Sequence, residues 1–256
     1  MGNGAITSYI DVAQIALYVF WAFFAGLILY LLRENKREGY PLESDRSGQI
    51  DVQGFPAMPH PKTFLLRDGR TVSVPNGLRD ERPLAAEPGA GFPGAPLEPT
   101  GNPMIDGIGP GAWAERADIA DTTVDGDARI VPLHHAPGFG LSRKDPNPVG
   151  MPVIGADGLI AGDVVTLWVD RAEAVFRYLE VEVPTDAGPR RVLLPMNFSK
   201  IDRHRVRVRS ILAAQFADVP ATRLPDQVTL LEEDRIVAYY GGGTLYATPQ
   251  RQEPLL

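Results

Sequence analysis

VAQIALYVFWAFFAGLILYLL, residues Val12 to Leu32, decides the architecture: these 21 residues carry no charge, and Gln14 is the only strongly polar side chain. At 1.5 Å per residue, a helix of this length spans about 31 Å, the thickness of a bilayer's hydrocarbon core. The stretch therefore reads as a single N-terminal transmembrane α-helix over residues 12–32. A cleaved leader needs basic residues ahead of a shorter apolar run and a small-residue cleavage site behind it. Here residues 1–11 hold no Lys or Arg, and Arg33, Glu34, Asn35, Lys36, Arg37 and Glu38 follow the span directly. Cations at that end place it in the cytoplasm, so residues 1–11 are expected on the periplasmic side and the bulk of the chain in the cytoplasm. Within the span, Ala22 and Gly26 form a small-xxx-small pair that admits a neighbouring helix, with Trp21 within one turn of the strip. Tyr30, close to Arg33, suits an interface or lipid-headgroup contact.

The rest of the composition narrows the function. With 44% apolar and 22% charged residues in 256, the chain is neither wholly disordered nor a multi-span transporter. The absence of cysteine excludes a disulfide scaffold, a thiolate zinc site, an iron–sulfur cluster and a cysteine nucleophile. Thirty-two acids against 25 bases give a charge of −7, a poor match to nucleic acid, so no nucleic-acid partner is expected.

Residues 33–110 hold half of the 24 prolines, which leaves no room for a long helix. Phe55, Phe64, Leu78, Leu84 and Phe92 are too many apolar groups for a solvated tail, so this part reads as an irregular Pro/Gly-rich strap laid on another surface. Thr63–Leu66 and Thr71–Val74, around Arg67-Asp68-Gly69-Arg70, read as a small hairpin. Residues 111–256 change character. Ala128–Leu133, Asp163–Val169, Arg177–Val183, Arg190–Leu194 and Arg205–Ile211 are short β-prone runs, and in Arg205-Val206-Arg207-Val208-Arg209 one face is apolar and the other basic. They predict a small antiparallel barrel or curled sheet. Short C-terminal helices are expected at Ile211–Ala217 and Val228–Tyr239, and Gly241-Gly242-Gly243 reads as a helix stop.

Chemistry of the chain's own is scarce. No phosphate loop, dinucleotide turn, zinc-protease or hydrolase motif occurs. His134 and His135, if on a strand, point to opposite faces and share no metal. Asp121, Asp125 and Asp127 in DTTVDGD resemble a calcium loop but lack its closing Glu, so a solvated turn is the plainer reading. Asp170 and Glu173 end the strand carrying Trp168, with Arg177 further on. This is either a strand end with an ion pair or two protonatable groups beside a buried site, where burial and a nearby Arg shift carboxylates in opposing directions.

Taken in order, FWAFFAGLILYLLRENKREGYPLE (Phe20–Glu43), PKTFLL (Pro61–Leu66), PTGNPMIDGIGPGAW (Pro99–Trp113), GLIAGDVVTLWVDRAEAVFRYLEVEV (Gly158–Val183), VLLPMNF (Val192–Phe198) and VTLLEEDRIVAYYGGGTLYATP (Val228–Pro249) resemble the H subunit of the purple-bacterial photosynthetic reaction centre. The resemblance implies a mainly β cytoplasmic domain of PRC-barrel type behind the span. It implies an accessory subunit without a catalytic site, which caps the cytoplasmic face of the L and M subunits and supports proton transfer to the secondary quinone. Bacteriochlorophyll, bacteriopheophytin, quinones and non-haem iron would lie in those partners. A cytochrome subunit and the light-harvesting 1 ring would share the complex, in the bacterial intracytoplasmic photosynthetic membrane.

Carried over by position, the resemblance implies that Asp170, Glu173 and Arg177 lie in the proton-uptake region. Asp125 and Asp127 stand where some members have a histidine pair. A free carboxylate titrates near pH ~4 and imidazole near ~6.5, so that exchange alters how the entrance would collect protons. His134 and His135 are the candidates to replace it, with Asp121 nearby. Tyr30 matches a position near a bound cardiolipin, whose phosphates Lys36 or Arg37 would meet. The competing reading is a membrane-anchored PRC-barrel adaptor that binds a protein partner without any part in electron transport.

Overall fold

The computed structural model describes residues 11–40, 42–43, 50–52, 54–66, 69–78, 81–92 and 94–252. The expected periplasmic segment is thus outside the described residues except for Asp11, and so are Arg67 and Asp68 of the expected turn. The chain divides into two compact units, Met1–Glu81 with Gly91–Ala95 and Arg82–Ala90 with Pro96–Leu256.

In the first unit, helix α1 (Val12–Glu34) is capped by Asp11, whose carboxylate accepts from the Gln14 backbone N–H at 2.7 Å. This satisfies one of the orphan donors of the first turn. None of its residues is buried, and its length and apolar composition qualify it to cross a membrane. Beyond it come two short antiparallel pairs, β1 (Leu42–Glu43) with β2 (Ile50–Val52) and β3 (Lys62–Leu65) with β4 (Thr71–Val74). The second is the expected hairpin.

In the second unit, β5 (Ala86–Pro88) pairs with β6 (Leu97–Pro99), and α2 (Pro103–Asp106) follows. A seven-stranded sheet then forms from β7 (Ile130–Pro132), β8 (Pro152–Ile154), β9 (Ile160–Asp170), β10 (Val175–Thr185), β11 (Gly188–Pro195), β12 (Ser199–Ile201) and β13 (Val206–Val208). The path runs β11-β10-β9-β8-β13-β12, and β7 joins the outer part of β9. β10 and β11 turn through Asp186 and Ala187, with Gly188 at φ 110°, a conformation that favours glycine. Sequence periodicity did not anticipate β8 and β12, each of three residues, nor that β8 and β13 pair in parallel.

Both faces of the outer end of β9 are covered. Leu167 and Trp168 join the main core with Leu179, Val181, Leu194 and Ile236, while Val169 packs with Val131 and Ala136 in a second cluster. Helix α3 (Leu230–Tyr246) closes the core with Ile236, Tyr239 and Tyr240. A capping box starts it: Thr229 Oγ1 accepts from the Glu232 N–H at 3.1 Å, and the Glu232 carboxylate accepts from the Thr229 N–H at 2.9 Å.

Two local expectations are corrected. Ile211–Ala217 forms a 3₁₀ turn over Ala214–Asp218, not an α-helix. Gly241-Gly242-Gly243 does not stop α3, which continues to Tyr246. A Cβ at Gly241 would lie 2.8 Å from the Pro110 carbonyl oxygen, one at Gly242 3.1 Å from Gly111 Cα, and one at Gly243 2.6 Å from the Ser210 oxygen. The glycines let backbone approach backbone across the helix. His134 and His135 lie in a 3₁₀ turn after Pro132 ends β7, not on a strand. Their exposed rings meet edge to face at 4.3 Å.

Candidate functional site

Strand pairing builds the site. Ile130 of β7 sits opposite Asp170 of β9, so Arg129, just outside the ladder, is delivered to the β9–β10 loop. That loop is shaped by Asp170 itself, whose Oδ1 accepts from the N–H groups of Ala172 and Glu173 at 3.0 Å each. The chain then turns through Ala174 at φ 54°, a left-handed conformation uncommon for a residue with a Cβ. The stretch DTTVDGDAR folds back on itself: Thr122 bridges Ala128, and the Arg129 N–H donates to the Asp121 carbonyl at 2.8 Å.

Three carboxylates converge on Arg129 as a result. Its Nε donates to Asp170 Oδ1 and Oδ2 at 3.0 and 2.9 Å, and its Nη1 to Asp121 Oδ2 at 3.0 Å. Its Nη2 engages Glu173 Oε1 as well as Asp170 Oδ2. The Asp170 side chain is 1% exposed, that of Arg129 25% and that of Glu173 55%, so the cluster runs from the interior to the surface. Burial by itself raises the Asp170 pKa, but the Arg129 hydrogen bonds and charge and the Glu173 and Ala172 N–H groups outweigh it, and the net shift is downward. Hydrogen bonds to Asp170 and then Asp121 raise the Arg129 pKa still further. The guanidinium is a fixed cation.

Arg177 does not join this cluster. Phe176 pairs with Val169 and Tyr178 with Trp168, which leaves Arg177 in a β-bulge that re-aims its side chain. Its Nη2 lies 3.9 Å from Glu233 Oε2, on the first turn of α3, and the Tyr178 hydroxyl donates to the same oxygen at 2.7 Å. Burial raises the Glu233 pKa; Tyr178, Arg177 and Arg116 oppose the rise, and the charge of Asp121 adds to it. Asp121 thus lies within electrostatic reach of Glu233 while bonded to Arg129. Burial also raises the Tyr178 pKa, with the Glu233 charge adding.

The other expected residues are spread out. Asp125 and Asp127 are exposed on the 121–129 turn, with Asp127 4.0 Å from Arg171. His134 and His135 lie past the far end of β7. Among the described residues no group of three His, Asp or Glu is placed to hold a metal. In the first unit, Lys36 is buried, its Nζ donating to the Gly54 and Pro56 carbonyls, and Arg37 is held by Glu34 at 2.8 Å and by the His60 carbonyl at 2.8 Å. Both cations are engaged by their own chain, whereas Tyr30 is 54% exposed. Trp21 contacts Phe20 and Phe24, and the Gly26 surface is open.

Sequence reasoning missed Arg129, Glu233 and Tyr178. The strict DTTVDGDAR turn flanked by Asp121 and Arg129 was the available signal for the first. For Glu233 the only signal was the acidic first turn of a helix, which has a common explanation in the helix dipole.

Residues 4–135 match the model of the photosynthetic reaction centre H-chain N-terminal region, and residues 142–215 match that of the PRC-barrel domain. The first match alone covers more than half of the 256 residues and takes in the apolar helix, the proline-rich segment and the Asp121–Arg129 turn, while the second takes in the long strands of the sheet. The chain thus joins an apolar N-terminal helix long enough to cross a membrane to a mainly β domain of PRC-barrel type, and it belongs to the photosynthetic reaction centre H-chain family.

Proposed function

We propose that the chain caps the cytoplasmic, quinone-reducing side of the L and M subunits, stabilises that complex, and passes protons toward the secondary quinone through the acids around Arg129 and Glu233. The convergence of Asp121, Asp170 and Glu173 on one guanidinium, graded from 1% to 55% side-chain exposure, carries this reading. Photochemistry and quinone reduction belong to the pigments and quinones of the partners; this chain supplies acids and a water-excluding cover. Glu173 meets solvent at the surface. Asp170, buried behind it and ionised at neutral pH, holds a negative potential that draws protons inward. Glu233, pushed toward the protonated state, is suited to hold a proton at a pH where an ordinary carboxylate has lost it.

The cap is supported by apolar groups left open on the isolated chain: Phe55, Leu65 and Leu78 are 85%, 76% and 83% exposed. Side chains of this size left open in one segment are available to a partner surface. In the same reading, the Ala22–Gly26 face of α1, with Trp21, packs against partner helices. Tyr30 contacts lipid, with Lys36 and Arg37 shaping the connector beneath it. Asp125, Asp127, His134 and His135 are assigned to the solvent side of proton uptake.

Flash-induced turnover tests the proton role. Asp170→Asn combined with Glu173→Gln should slow the proton-coupled transfer of the second electron by about tenfold or more while initial charge separation is unchanged. Quinol formation at the parent rate would remove both residues from the pathway.

A further inference from the structure

The hairpin of β12 and β13 is basic within an acidic chain. Residues 200–209 contain Lys200, Arg203, Arg205, Arg207 and Arg209 but one acid, Asp202. Antiparallel pairing sets Lys200 directly opposite Arg207, an arrangement of like charges that weakens a ladder. The strand cannot relieve it by slipping one residue, because Val206 and Val208 are fully inserted in the core at 0% and 1% exposure. Asp202 answers part of the charge, lying 2.8 Å from Arg207 Nε and 3.9 Å from Arg205 Nε. Lys200 and Arg209 have no carboxylate at ion-pair distance among the described residues.

Arg251 adds a further cation from beyond α3. Its Nη1 donates to the Ser210 and Gly243 carbonyls at 2.6 Å each, and its Nη2 to the Arg209 carbonyl at 2.9 Å. These acceptors are neutral, so among the described residues no carboxylate answers the guanidinium charge beside Arg209. Lys200, Arg207, Arg209, Ser210 and Arg251 line an open cleft of about 400 Å³, and among the described residues no acid lines it. Ser210 is only 5% exposed, and its hydroxyl has no hydrogen-bond partner among the described residues. A buried hydroxyl left unpaired is costly. Converging cations and guanidinium donors together match a tetrahedral oxyanion carrying two charges.

We infer that this cleft between the β12–β13 hairpin and Arg251 binds a phosphate group, contributed either by an anionic lipid headgroup or by a free phosphate. None of its residues belongs to the Arg129 cluster, so the site stands or falls independently of the proton pathway.

Calorimetric titration of the full-length chain with inorganic phosphate tests it, the protein being purified in nonionic detergent with whatever subunits accompany it. Lys200→Gln with Arg209→Gln is the informative variant, since both side chains are exposed and the core valines are untouched. One saturable phosphate per chain is expected, weakened about tenfold or more in the double variant. No saturable binding to the parent, equal affinity in the double variant with an unchanged unfolding midpoint, or nitrate binding as tightly as phosphate at equal ionic strength would each overturn the inference. Repeating the titration in nanodiscs separates the two sources. Loss of the isotherm when phosphatidylglycerol joins phosphatidylcholine assigns the site to a lipid headgroup, and an unchanged isotherm assigns it to soluble phosphate.

Discussion

Arg129 holds Asp121, Asp170 and Glu173 in one set of hydrogen bonds, and of these Asp170 is the one that needs it. A carboxylate 1% exposed on the side chain tolerates its charge only because a guanidinium and two backbone N–H groups answer it. Arg129→Met should therefore destabilise the second unit by about 3 kcal/mol at neutral pH, read as a lowered unfolding midpoint. Its pH dependence has a definite sign. The folded-state pKa of Asp170 lies below its usual 3.8, so the pair's contribution is complete above the unfolded value and is lost as pH falls through the folded one. The gap between parent and variant should be widest at neutral pH and shrink on acidification, as protonation relieves the unpaired carboxylate in the variant and then removes the ion pair in the parent. A gap that widens on acidification would show that Asp170 is not the group Arg129 stabilises.

At the scale of elements, α3 combines a strong start with a middle that contradicts local preference. Three glycines in a row cost a helix about 1 kcal/mol each relative to alanine. They are retained because the Pro110, Gly111 and Ser210 backbones pass where Cβ atoms would be. Gly243→Ala sets the two effects against each other. The gain in propensity is about 1 kcal/mol, whereas a Cβ 2.6 Å from a backbone oxygen forces a shift costing roughly 1–3 kcal/mol. Net destabilisation is expected, seen as a midpoint lowered by a few degrees. An unchanged or raised midpoint would mean that the close approach relaxes freely. The bulge at Arg177 is a second case in which an element redirects chemistry, carrying the cation from the β9–β10 loop toward α3.

For the whole molecule, α1 carries no buried residue and the segment behind it leaves Phe55, Leu65 and Leu78 exposed, so both offer apolar surface to membrane or partner. Membership of the reaction centre H-chain family implies association with the L and M subunits. Protease added to sealed inverted membrane vesicles should degrade the chain from the Arg33 side onward and leave a protected fragment containing Val12–Leu32. Protection of the β domain instead would reverse the orientation drawn from Arg33, Lys36 and Arg37.

Contiguous pattern was legible from the residues in order: the uncharged run of Val12–Leu32, the proline-rich segment, the alternation at Arg205–Arg209 and the β-prone runs that became β9, β10 and β11. These depend on neighbours in the chain, as does the acid pair Asp170 and Glu173 at a strand end. Only the tertiary structure decided that Arg129, 8, 41 and 44 residues from its three acids, is their common partner, because strand pairing brings them together. It also decided that Arg177 answers Glu233 and that Gly241-Gly242-Gly243 lies inside a helix. In each case the determining contact comes from a distant segment, and hydrophobic periodicity carries no record of which segment that is.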